Sequence, residues 1–210
     1  MGGLARAARA QTRQPVVHDD CRVSCSIFAS GSRSVAGVSE LETPPGTTSE
    51  PGTAALSASA RKVQEALRAR GLSGDVLEFA ETTRTSADAA KRIGCEVGQI
   101  AKSLVFRAQT SGRPVLVIAS GANRVNEWRV GVLLKEVLEK AGAALVREAT
   151  GLAIGGVPPV GHPQPLLTYI DQDLMQYADV WAAAGSPHAV FRLTPADLVR
   201  ITGGVVVKVT

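Results

Sequence analysis

Hydrophobic residues fall into regular spacing only from about residue 57 onward, after a long stretch with neither helical nor strand periodicity. Ser59 can cap a helix through Arg70, with Val63, Ala66 and Leu67 on one face and Gly71 as its left-handed stop. A short strand is expected over 75–80. A second helix starts at Thr85 or Ser86, turns Ala89, Ala90 and Ile93 inward, and ends at Gly94 before a helical turn over 96–100. Two β-rich runs follow, 101–107 and 114–119, joined through Ser111-Gly112 as a hairpin. Asn123 or Asn126 can cap the next helix, which the pattern carries to about Lys140. Strands are then expected at 144–147 and 166–170, a short helix at 173–177, strands at 180–183 and 189–193, a helix at 195–202 and a closing strand at 205–209. The 195–202 helix has the clearest signals: Thr194 at the cap, Pro195 at the first helical position, Asp197 at the third and Gly203 at the stop. Strands and helices mix without regular βαβ alternation. That pattern predicts an α+β fold with a mixed sheet able to curl into a partial barrel.

The first 53 residues are rich in Ser, Thr, Gly, Pro and Arg and end in the turn-heavy segment 43–48, so they are expected to be a disordered leader ahead of a folded domain at 54–210. Arg6, Arg9, Arg13, Arg22 and Arg33 balance Asp19, Asp20, Glu40, Glu42 and Glu50, which assigns the whole net charge of +4 to the folded part. Residues 4–13 are Arg-rich and acid-free, as in an organelle transit peptide. The simpler reading, an unstructured tail or a reading frame begun too early, is preferred. Met175 is the only other methionine, so a later start would use a non-Met codon, such as at Val35 or Val38.

Composition narrows the function. A chain of 210 residues, 45% apolar and 20% charged, is a globular protein of one or two domains rather than a collagen, coiled coil or disordered polymer. Four Phe, two Tyr and two Trp do not form the row of aromatic faces that grips long single-stranded nucleic acid. No apolar run reaches the roughly 18 residues of a membrane-spanning helix. Cys21, Cys25 and Cys95 form neither a disulfide framework nor a zinc-ligand pair, and His18, His162 and His188 are scattered, so neither a metal nor a cofactor is expected. A reducing, cytoplasmic setting follows.

The sequence lacks a nucleophile elbow, a phosphate-binding Gly-Lys-Ser/Thr loop, a dinucleotide fingerprint and a zinc-protease helix. Ser186 and His188 stand two residues apart and cannot easily face each other as nucleophile and base. Lys102 is more informative, because it opens the apolar run Leu104-Val105-Phe106 and can project a cation from a rigid strand into a cleft, where it suits a phosphate or carboxylate. A snorkelling edge lysine is the competing reading. The segment 151–162 carries four glycines and the pair Pro158-Pro159, which lets the backbone approach a ligand and aim N–H groups at a carbonyl or oxyanion. Its donors would come from Gly155, Gly156, Val157, Val160 or Gly161, since the prolines have none; a tight structural loop is the alternative. Around Gly185, Ser186, Pro187 and His188, small residues beside a strand leave room for a ligand that His188 could line, or they form a plain loop.

Three segments together, 85–106 (TSADAAKRIGCEVGQIAKSLVF), 155–161 (GGVPPVG), and Ala184-Gly185 with 194–204 (TPADLVRITGG), resemble the YbaK/EbsC aminoacyl-tRNA deacylases, free-standing relatives of the editing domain of bacterial prolyl-tRNA synthetase. The resemblance runs from about Ser57 to the C-terminus. It implies a mixed, partly open β-barrel flanked by helices, and hydrolysis of the ester between a mischarged small amino acid, such as Cys, Ala or Ser, and the tRNA 3′ adenosine. By the same resemblance Lys102 holds the phosphate or sugar side of that adenosine, and Gly155, Gly156, Val157 and Gly161 polarise the ester carbonyl. Ser103, Pro158, Pro159, Gly185, Ser186 and His188 would line the substrate pocket. No protein base is then required, because the ribose 2′-hydroxyl or a cysteine thiol of the substrate assists. The partners implied are the aminoacyl-tRNA acceptor end and a synthetase, with no membrane, and the leader is expected to be dispensable. Arg107, Arg124, Arg129 and Lys135 are candidates for a basic tRNA face. A non-catalytic module that binds an aminoacyl or nucleotide ligand in the same pocket is the alternative.

Overall fold

The computed structural model describes residues 56–81 and 85–210; the expectations for residues 1–53 lie outside the described residues. Helix α1 (Ala58–Arg68) buries Ala60, Val63, Gln64 and Leu67. Its cap is Ser57 rather than the expected Ser59: the Ser57 hydroxyl accepts from the Ala60 N–H at 3.3 Å, and Ser57 is the last residue with extended ψ. Gln64 is enclosed but satisfied, donating to the Gly74 carbonyl at 2.9 Å and accepting from the Val76 N–H at 2.7 Å, which fixes α1 to β1 (Val76–Glu78). Helix α2 (Ser86–Ile93) starts in a capping box of Thr85 and Asp88 and stops at left-handed Gly94.

A 3-10 turn (Val97–Gln99) leads into the hairpin of β2 (Ile100–Ala108) and β3 (Pro114–Ser120). Helix α3 (Glu127–Leu134), capped by Asn126, ends well short of Lys140. Lys135 turns left-handed, the Glu136 N–H returns to the Gly131 carbonyl at 3.1 Å, and residues Leu138–Lys140 become strand β4. A Cβ on residue 131 would stand 2.7 Å from the Glu136 carbonyl oxygen, so glycine permits this reversal. The strand expected at 144–147 is helix α4 (Ala143–Thr150). Its Ala, Leu, Arg and Glu residues favour helix, Gly151 ends it in the left-handed region, and Val146 meets the core.

The remaining elements are β5 (Leu167–Asp171), a 3-10 turn (Gln172–Gln176), β6 (Val180–Ala183), β7 (Ala189–Leu193), α5 (Pro195–Thr202) and β8 (Val205–Val207). The strands form one mixed sheet in the order β1-β7-β6-β2-β3-β5-β8, with β4 attached to β2 outside that path. Strands β2 and β6, β3 and β5, and β5 and β8 pair in parallel; the other pairs are antiparallel. This is the mixed, partly open architecture that the sequence predicts. β3 is enclosed on both faces: Leu116 and Ile118 join one cluster with Leu67, Phe191 and Leu198, while Val115 and Val117 join another with Phe106, Val130 and Tyr169.

One feature of the ladder creates the site. β3 covers one edge of β2 from Ala101 to Arg107, but the other edge is divided, with β6 reaching only Ile100 and Ala101 and β4 only Phe106 to Ala108. The stretch 102–105 has no strand on that side. Ala108 bonds toward β3 and Gln109 toward β4, so by the alternation of an antiparallel ladder the peptide groups of Ser103 and Val105 face the gap. Among the described residues only the Val105 carbonyl is engaged there, by the Ala141 N–H at 3.4 Å.

Candidate active site

A cleft of about 450 Å³ opens at this gap, lined by β2 from Ile100 to Phe106 and by Ala182 and Trp181 of β6. That size is within the range of small-molecule sites, roughly 300–1,000 Å³. Lys102, Ser103, Gly155, Val157 and Ser186, which are far apart in the chain, all line it. Lys140 lines it too, a second cation that periodicity alone would put inside a helix.

Lys102 is half-buried and its Nζ donates to the Asn123 carbonyl at 2.7 Å. Burial weakens its hold on the proton; the Asp171 carboxylate opposes that loss and Arg124 adds to it. Asp171 is fully enclosed at the end of β5 and accepts from the Ser120 N–H at 3.0 Å, from Asn123 Nδ2 at 2.8 Å and from the Asp173 N–H at 3.2 Å. Asn123 Nδ2 also donates to Asp173 at 2.7 Å. The lysine is therefore positioned by a carbonyl and backed by a buried carboxylate. Sequence reasoning missed Asp171 and Asn123 as supports; the one available signal was a strand of apolar residues closing on an acid.

The glycine loop approaches from the other side. Gly155 has φ +95°, open to few residues besides glycine, and a Cβ on residue 156 would stand 2.7 Å from the Ser186 Cα. The Gly156 carbonyl accepts from the Gly185 N–H at 2.9 Å, which ties this loop to the 184–189 turn. The Gly156 N–H is engaged by the Ala153 carbonyl at 3.3 Å, whereas those of Gly155 and Val157 donate to nothing among the described residues. Both belong to residues that line the cleft.

Other expected residues lie behind this surface. Pro158, Pro159 and Gly156 are buried without lining the cleft, and Gly161 packs toward Ala66 of α1. His162 lies beyond the loop with both ring nitrogens buried and no well-formed hydrogen bond. Burial pushes its pKa down against the pull of the Pro159 carbonyl, and the Arg70 charge lowers it further. His188 is half-buried outside the lining, its carbonyl accepting from the Phe79 N–H at 2.8 Å. Ser186 Oγ accepts from the His188 N–H at 3.2 Å, a local turn bond. The Ser103 hydroxyl is buried and unpartnered, so what this residue turns to the cleft is its peptide group. Cys95 packs beside Ala90 and Ile100, away from the cleft, where burial raises its thiol pKa. Among the described residues no Asp, Glu, His or Cys lines the cleft, and no three such residues gather as a metal site. Among them, too, no helix is long and apolar enough to cross a membrane.

The chain is 32% identical over 124 residues to protein YwhH of Bacillus subtilis, covering 59% of this chain and 78% of that one. It is 26% identical over 143 residues to EbsC of Enterococcus faecalis, named as a candidate Cys-tRNA(Pro)/Cys-tRNA(Cys) deacylase, covering 63% and 82%. A crystal structure of a candidate trans-editing enzyme for prolyl tRNA synthetase superposes with a TM-score of 0.71 at 48% identity, covering 74% of this chain and 98% of the other. The aminoacyl-tRNA editing domain matches residues 80–201, more than half of the chain and the whole lining of the cleft. By that match, together with the shared fold, the chain belongs to the aminoacyl-tRNA editing domain family.

Proposed function

We propose that this protein is a trans-editing hydrolase that removes a small mischarged amino acid from tRNA. The observation that supports the reading is that Lys102, Gly155 and Val157 line one cleft, the last two with N–H groups that donate to nothing among the described residues, while no Asp, Glu, His or Cys among those residues lines it. Lys102, supported by Asp171, takes the phosphate or sugar side of the terminal adenosine. The Gly155 and Val157 N–H groups polarise the ester carbonyl and receive the oxyanion as water adds to it. The water proton passes to the ribose 2′-hydroxyl oxygen as that hydroxyl's own proton moves to the departing 3′-oxygen; the acyl C–O bond breaks, and the amino acid leaves as its acid. Such substrate assistance suits a lining that offers alcohols and lysines but no carboxylate or imidazole. Ala101, Val105, Ala182 and Ala189 leave an apolar space for a small side chain. Pro158 and Pro159 brace the loop, Gly185 anchors it, and Ser103 and Ser186 shape the amino-acid end. On this reading the protein works in the cytoplasm, on the aminoacyl-tRNA acceptor end, beside a synthetase that produces the error.

The test is deacylation of tRNAs charged with Cys, Ala, Ser and Pro by the full chain and by Lys102→Ala. Selective hydrolysis of one species is expected, slowed about a hundredfold or more in the variant while its circular dichroism is unchanged. Ligand binding without turnover on any of the four would replace the hydrolase with the binding-module reading.

A further inference from the structure

The first turn of α3 leaves Trp128 77% exposed, and Val132, one turn on, 57% exposed. Arg124 and Arg129 stand on either side of this indole in sequence, both exposed. Six other arginines (68, 92, 107, 113, 192 and 200) make ion pairs, but among the described residues Arg124 and Arg129 make none. Glu127 is the one acid of that turn. The surface is continuous with the cleft: the Asn123 carbonyl holds Lys102 Nζ, Arg124 is the next residue, and its charge is felt at Lys102. Three residues after Asn123, Asn126 starts the helix by accepting from the Arg129 N–H at 3.0 Å.

An exposed indole with an exposed arginine four residues before it and another directly after it, neither in an ion pair among the described residues, suits a stacked base and its flanking phosphates. A second copy of this chain is a poor fit, because an isologous contact would bring two sets of unpaired arginines together.

We propose that Trp128, with Arg124 and Arg129, forms the surface on which the single-stranded 3′ end of the tRNA lies before its last nucleotide enters the cleft. The indole stacks on an unpaired base and the two guanidiniums take flanking phosphates. The inference rests on the tRNA reading of the cleft and adds where the RNA runs outside it.

The experiment compares the full chain with Trp128→Ala and with Arg124→Gln/Arg129→Gln on two esters of one amino acid: the charged tRNA, and the same amino acid esterified to adenosine alone, which fills the cleft but cannot reach α3. Trp128→Ala should raise KM for the tRNA about fivefold or more, the lower end of what one stacked base contributes, with kcat unchanged and the adenosine ester unaffected. The double arginine variant should flatten the dependence of log(kcat/KM) on log salt by about 0.7 for each phosphate that is no longer neutralised, on the tRNA only. Tryptophan fluorescence, titrated with an uncharged acceptor-arm hairpin, should be quenched in the wild type, and in Trp128→Ala only the part contributed by Trp181 in the cleft lining should remain. Quenching that persists in Trp181→Phe, whose only indole is Trp128, assigns the signal to Trp128. An unchanged KM for tRNA, an equal loss on both esters, or a wild-type dimer that Trp128→Ala converts to monomer would overturn the proposal. Should neither ester be hydrolysed, the hydrolase reading fails by itself, and the quenching titration still decides the docking surface.

Discussion

Asp171 stands behind the cleft, outside its lining, and supports Lys102 from there. Its carboxylate receives three donors from Ser120, Asn123 and Asp173 and supports the charge on Lys102, all without contact with solvent. Asp171→Asn keeps the shape but sets an amide N–H₂ against N–H donors, so a loss of about 1–3 kcal/mol is expected in urea unfolding. The variant also removes the influence that raises the Lys102 pKa, so the alkaline fall of kcat/KM should begin at lower pH than in the wild type. An unchanged alkaline limb would show that Asp171 serves stability alone. Lys102 was legible in the sequence because a cation at the head of an apolar strand is anomalous by itself. Asp171 was not, because its meaning comes from Ser120 and Asn123, which reach it from a different part of the chain.

Among the elements, α5 was predictable from its end signals and the short strands β6 and β7 from their composition, whereas the 144–147 segment was not. α5 begins with Thr194 accepting from the Asp197 N–H at 3.1 Å and donating to Asp197 Oδ2 at 2.9 Å, and Gly203 ends it. Thr194→Ala should cost about 1 kcal/mol in thermal or urea unfolding, with turnover unchanged, since neither residue lines the cleft. The 144–147 segment, expected as a strand, belongs to the eight-residue helix α4, whose helix-forming residues and Gly151 stop show only over that longer window. The loop between α4 and β5 carries a pH dependence. His162 is buried with its pKa below the ordinary 6.5, so the unfolded chain binds the extra proton first as pH falls. Its contribution to stability is complete above about pH 6.5 and declines as pH falls toward the folded-state pKa. His162→Phe should therefore flatten the acid side of a plot of Tm against pH; parallel curves for the two proteins would refute a role for this imidazole.

At the scale of the whole molecule, the three hydrophobic clusters among the described residues are built from buried side chains between Ala60 and Val209, and β3 lies between the two larger ones. Because the sequence marks residues 1–53 as a leader, their deletion is expected to leave the proposed deacylation and the cooperative unfolding transition unchanged; a broadened transition or an inactive protein would count against this. The chain by itself determined the class of fold and the place of the capped helices, and it singled out the lysine and the glycine loop as candidates, because each depends on local chemistry: a cap, a periodicity, a charge out of place, a backbone without Cβ atoms. Only the tertiary structure decided that these pieces meet. The cleft exists because β6 and β4 each cover one end of β2 and leave residues 102–105 open, and because Gly156 is small enough for its loop to lie against Ser186. Neither condition has a local signature, since pairing partners and close approaches are set by residues distant in sequence that become neighbours only when the apolar faces are buried together.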